Sequence, residues 1–179
     1  RGRLPLRAGA PRVHVRPRVM TPGKLEDEMA VSHADAKDTS EAQLRSLIEK
    51  FDPKDQTLIR AVRAAVRKRL PTANELLYDY KSHFVIGYSP TERPTDGIAS
   101  IAARVDGVRL YLMHGPQLPD PKKLLMGSGK QARFIRVEAS GKLADPDVEA
   151  LIAAAIDLAE VPLATEGCGR LIVRTAAGK

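Results

Sequence analysis

Apolar residues along the chain follow two different rhythms, and the change between them falls near Glu75. Before it, Leu44, Leu47 and Ile48 line up at helical spacing; after Asp52-Pro53 a second set follows, Leu58, Ile59, Val62, Ala65, Val66 and Leu70. Spacings of three and four place each set on one face of a helix. Thr39 or Ser40 is the expected N-cap of the first helix, and Asp52 followed by Pro53 suits the start of the second. Pro71 ends it. From Glu75 the period shortens. The stretches 76–80, 84–88, 97–105, 108–113 and 133–137 are rich in β-branched or aromatic residues, with turn residues between them, and are predicted as strands. Asp106-Gly107 predicts a two-residue hairpin turn, because Gly tolerates the positive φ such a turn needs. A last helix is predicted from Asp145, where Val148, Leu151, Ile152, Ala155, Ile156 and Ala159 again repeat at three and four. Its acidic first turn suits the N-terminal end of the helix dipole. Leu171-Ile172-Val173 reads as an edge strand or as a tail.

Helix, helix, antiparallel strands, helix: this order predicts an α+β sandwich. The expected architecture has two N-terminal helices, about five mainly antiparallel strands and a C-terminal helix, with the helices packed on one face of the sheet. The domain is placed at residues 40–165. Residues 1–39, with four prolines and no sustained period, are expected to be a disordered basic tail. Residues 166–179 are expected to be a flexible tail or an edge strand.

Charge changes this picture only at the N-terminus. The chain carries a formal net charge of +7, but Arg1, Arg3, Arg7, Arg12, Arg16, Arg18 and Lys24 stand in a stretch without acids. The remaining residues hold as many acidic as basic side chains, so the predicted domain is neutral and no nucleic-acid partner is expected. Met20 and Met29 are both candidate start residues. The lone Cys168 excludes an internal disulfide and any CxxC motif. No run of about 18 apolar residues suggests a membrane span, and the expected location is cytoplasmic.

Candidate chemistry is sparse. The turn Gly127-Ser128-Gly129-Lys130, followed by Arg133, is the best anion-binding candidate: successive N–H groups of a glycine turn can form a nest, with Lys130 and Arg133 adding charge. It is not a P-loop, since Leu124 stands where the first glycine belongs and Gln131 where the hydroxyl belongs. Asp79, Asp145 and Asp147 are the carboxylates considered for a metal, although no HxxxH or HExxH spacing supports them, and Asp145 and Asp147 also read as a helix first turn. No GxSxG elbow is present, and Cys168 has no histidine near it in sequence. The arginines of the second helix (Arg60, Arg63, Arg67, Arg69, with Lys68) read as a solvated, ion-paired face.

Three segments together carry a family resemblance. They are Pro71-Thr72-Ala73-Asn74-Glu75 followed by Tyr78, the hairpin with Tyr111-Leu112, and Leu124-x-x-Gly127-x-Gly129-Lys130-x-x-Arg133-Phe134 leading to Asp145-x-x-Val148-x-x-Leu151-Ile152-x-x-Ala155. From about Ser40 to Glu160 the chain resembles the YdhG-like family, domain of unknown function 1801. The resemblance implies a frataxin-like α+β fold and, from a bacillary member described as an intracellular iron chaperone, a role in handling iron. The expected function is therefore non-enzymatic binding of iron. The alternatives are an anion or small-ligand module built on Gly127–Arg133, and a homo-oligomer formed through a sheet edge.

Overall fold

A computed structural model describes residues 38–174 of the chain. The expected tail, apart from residues 38 and 39, lies outside them. Helix α1 (38–48) and helix α2 (Pro53–Arg69) are followed by five consecutive strands: β1 (Asn74–Tyr80), β2 (His83–Ser89), β3 (Ala99–Arg104), β4 (Gly107–Met113) and β5 (Ala132–Val137). Helix α3 (Pro146–Asp157) and a short strand β6 (Leu171–Arg174) complete the order. The six strands form one sheet in the order β5-β4-β3-β2-β1-β6. Every pairing is antiparallel except β1 with β6. The α+β class and the antiparallel run are as expected, and Leu171–Arg174 is an edge strand.

Two local expectations change. Thr39 and Ser40 lie inside α1 rather than capping it. The β3–β4 turn is centred one residue earlier than Asp106-Gly107: Arg104 pairs with Gly107, leaving Val105 and Asp106 as the two loop residues. Gly107, at φ 114°, opens β4 in a conformation that L side chains rarely adopt. Cross-strand pairing moves by two positions, so each side chain keeps its face and only Val105 is expelled into solvent. It is 89% exposed.

The helices cover one face of the sheet. Leu44, Leu47 and Ile48 of α1, Ile59, Val62 and Val66 of α2, and Val148, Leu151, Ile152 and Ala155 of α3 form one core with Leu77, Phe84, Ile86, Ile101, Leu110 and Ile135 from the strands. Since side chains alternate along a strand, the other strand residues face away. Leu76 and Ala102 are buried yet stand outside that core.

One ion-pair network ties this layer together. The Arg63 guanidinium on α2 donates to both carboxylate oxygens of Glu75 on β1, at 2.9 and 2.6 Å, and to both of Glu41 on α1, at 2.8 and 2.7 Å. Glu75 is 2% exposed. Burial works against the Arg63 charge, and hydrogen bonds to Glu41 and Glu75 outweigh it, raising its pKa above the ordinary value. Tyr88, opposite Glu75 in register, is fully buried, and burial holds its phenol well above the usual range. Arg69 likewise docks on the Leu143 carbonyl, at 2.8 Å, and on Glu149. The arginines of α2 are thus not a uniformly solvated face.

Candidate functional site on the uncovered sheet face

The sheet's second face carries no helix among the described residues. Three register rows run across it. One holds Tyr80, His83 and Arg104; the next Arg174, Tyr78, Val85, Ala102, Arg109 and Arg136; the third Ile172, Leu76, Gly87, Ser100, Tyr111 and Phe134. Period two explains what net charge hid. Arg104, Arg109, Arg136 and Arg174 share this face, and no strand places an acid on it, while Glu75 points to the helices. Among the described residues, Asp106 in the β3–β4 turn and Glu92 in the loop after β2 reach the face from its rim.

Over β1, β2 and β3 the face is concave. A groove of about 780 Å³ is lined by Leu76, Tyr78, Val85, Gly87, Ser100 and Met113, with Glu92, Arg93, Pro94 and Arg174 at its sides. That volume is within the range of small-ligand sites. Gly87 keeps the floor low, because a β-carbon there would stand over Leu76. The wall after β2 is braced by its own side chains. Ser89 Oγ donates to the Arg93 carbonyl at 2.9 Å, Thr91 Oγ1 donates to Asp96 at 2.6 Å, and Thr91 Oγ1 accepts from the Arg93 N–H at 3.0 Å. The Thr91 hydroxyl, outweighing an opposing desolvation, holds the Asp96 carboxyl below the usual carboxylate range.

Three polar atoms of lining residues lack partners, the Tyr88 hydroxyl on the helix side of the sheet and two others. Tyr78 and Arg174 are paired across the β1–β6 ladder. The Tyr78 hydroxyl and the Arg174 Nε are shielded from solvent, and neither has a hydrogen-bond partner among the described residues. Elsewhere the Arg174 guanidinium donates to the Glu92 carbonyl at 2.7 Å and to the Glu92 carboxylate at 3.3 Å, so its charge is partly met at the groove's side. Desolvation raises the Tyr78 pKa against the opposing charge of Arg174, so at neutral pH the phenol keeps its proton and acts as a donor. At the hairpin end Tyr80 stacks on His83, with ring centroids 4.7 Å apart. Burial and then Arg104 lower the His83 pKa.

The structure does not bring Asp79 together with Asp145 and Asp147. Asp79 lines a separate hollow of about 480 Å³ with Leu47, Phe51 and His83. Asp145 is the N-cap of α3, accepting from the Asp147 N–H at 3.0 Å and pairing with Lys142 at 2.9 Å. Lys142 first, then that N–H, hold its carboxyl below the ordinary range. Among the described residues, no group of three or more His, Cys, Asp or Glu side chains is placed to hold a metal ion. Gly127 turns the loop before β5 at φ 96° and packs against the Phe134 ring. Arg133 donates to the Gly127 carbonyl at 2.7 Å, so its guanidinium is engaged by its own loop. Lys130 lines a recess of about 220 Å³ that also contains Asp96 and Glu160, neighbours that work against an anion. Gly129 packs over the Ala132 carbonyl. Cys168 is exposed.

Fold and site together define an α+β domain with one face of its sheet covered by helices and a groove on the other. Comparison with protein-family models, with curated proteins and with solved structures finds no match. No helix of the described residues is long and apolar enough to cross a membrane.

Proposed function

We propose that the domain binds rather than transforms its ligand, and that the groove on the uncovered sheet face is where it binds. The single observation carrying this reading is the meeting of an apolar floor with two unpartnered donors, the Tyr78 hydroxyl and the Arg174 Nε. Buried polar groups without partners are rare because each costs about 1–3 kcal/mol. An acceptor arriving with the ligand recovers that cost. The matching ligand class is a small organic anion: a carboxylate or similar acceptor for Tyr78 and Arg174, and an apolar body over Leu76, Val85, Gly87 and Met113. Membership of the YdhG-like family is proposed from the sequence segments quoted above, and the antiparallel sheet with helices on one side agrees with the fold that resemblance implies. An iron role does not follow from the arrangement of these side chains.

The test is an NMR titration of the full chain with 2-naphthoate. Saturable shifts are expected at the amides of Leu76, Gly87, Ser100 and Met113. Tyr78→Phe and Arg174→Gln are each expected to weaken binding about tenfold or more, the equivalent of losing a hydrogen bond to a charged acceptor, ~1.5–3 kcal/mol. Shifts that stay linear to the solubility limit, or that arise away from the groove, would reject the reading.

A further inference from the structure

A second part of the uncovered face, on strands β3, β4 and β5, gathers three guanidinium groups around one carboxylate. Asp106 lies within ion-pair distance of Arg104, at 3.4 Å, of Arg136, at 3.8 Å, and of Arg109, which donates to it directly. Arg109 and Arg136 are direct register partners on neighbouring strands. Like charges placed directly opposite each other destabilise a sheet, so this arrangement costs stability. Asp106 offsets only one of three positive charges. Each guanidinium offers five N–H groups; the Arg104 Nε faces Asp106 at 3.4 Å without forming a hydrogen bond, and the Arg109 Nε, shielded from solvent, has no hydrogen-bond partner among the described residues. The side chains are nonetheless held in place. Arg109 lies over the Phe134 ring at 5.0 Å from its centroid, and the Tyr111 ring packs against Phe134 at 5.2 Å.

We infer that Arg104, Arg109 and Arg136 form a phosphate-binding site that takes the terminal oxyanions of a phosphomonoester. Charge fits this class. Three guanidinium groups less one carboxylate leave a net +2, and a phosphomonoester carries about −1.5 to −2 at neutral pH. Geometry fits as well, because a monoester has three terminal oxygens and guanidinium groups recognise such oxygens in a planar, two-pronged way. Asp106 serves as the internal counter-ion that keeps the three side chains converged before the ligand arrives. The site is made of residues other than those of the groove and stands or falls independently of it.

The basic N-terminal residues also attract phosphate, so the test must read the three side chains individually. The experiment follows the arginine Nε–Hε signals of the full chain during titration with phenyl phosphate, with inorganic phosphate and phenyl sulfate in parallel. Saturable shifts of the Arg104, Arg109 and Arg136 signals are expected with phenyl phosphate, and Arg104→Gln or Arg136→Gln should weaken the apparent affinity about tenfold. Equal affinity for inorganic phosphate would keep the site and make free phosphate its ligand. The inference is overturned if these three signals stay still while those of Arg1 to Arg18 move, or if phenyl sulfate binds as tightly as phenyl phosphate.

Discussion

Replacing Arg63 by Met is expected to lower the unfolding free energy by about 3–5 kcal/mol, the cost of removing one partner from a buried ion pair. Glu75 explains the size of the effect. It sits beneath α2 with 2% of its surface exposed, and Arg63 contacts both of its carboxylate oxygens. Without that guanidinium the carboxylate has only Arg67, at 3.5 Å, to offset its burial. The same substitution releases Glu41, so α1 loses a tie to α2 at once. Thermal unfolding followed by circular dichroism should show a midpoint lowered by on the order of 10 °C. Combining Arg63→Met with Glu75→Leu should recover most of the loss, since apolar residues of similar volume often replace a buried pair without penalty. A single variant as stable as the parent would show that the network contributes nothing to the fold.

Gly169→Ala should have the second largest effect, and a local one. A β-carbon at residue 169 would overlap the Ala73 carbonyl oxygen and carbon, which are main-chain atoms with little room to yield. The segment entering β6 therefore has to lift. Lifting it breaks three hydrogen bonds: from the Gly169 N–H to the Pro71 carbonyl, 3.1 Å, from the Arg170 N–H to Asn74 Oδ1, 3.1 Å, and from the Glu75 N–H to the Arg170 carbonyl, 2.8 Å. The β1–β6 ladder, from Glu75–Leu171 to Tyr78–Arg174, goes with them. Amide hydrogen exchange should report loss of protection at residues 171–174 while Ile86, Ile101 and Leu110 remain slow. Arg174 then no longer reaches the groove, so 2-naphthoate binding should weaken in the same variant. Unchanged protection at residues 171–174 would mean that the strand accommodates the methyl group.

What the sequence made legible follows from the range of each signal. The helices and the five antiparallel strands announce themselves through local periods, Leu58–Leu70 at three and four and Phe84–Tyr88 at two, and neighbouring strands pair in the order they occur. β6 does not announce its partner. Its four residues are too few for a period, and they pair with β1 at 96 positions' remove. Glu75 looks like any charged residue at a strand start, and only its position under Arg63 makes it a buried anchor. The neutral charge of the domain argued against a nucleic-acid partner, but a sum has no direction. Alternation along β3, β4, β5 and β6 sorts Arg104, Arg109, Arg136 and Arg174 onto one face, and the sum conceals that sorting. At the Gly127–Arg133 loop the structure adds what spacing leaves out, since spacing shows which charges are close and not that Arg133 donates to the Gly127 carbonyl.

The single parallel pairing also has a consequence for how the chain reaches this structure. Strands β1 to β5 form a meander of neighbours, and contacts between neighbours close short loops at low entropic cost. A chain made from its N-terminus can assemble that meander while Leu171 is still to come. Until β6 arrives, the outer edge of β1 presents unpaired N–H and C=O groups, a template for pairing with another chain. The last strand thus closes that edge as well as delivering Arg174. A chain that folds in this order would acquire its helix-covered meander before its complete groove, and its β1 edge would be open to association in the interval.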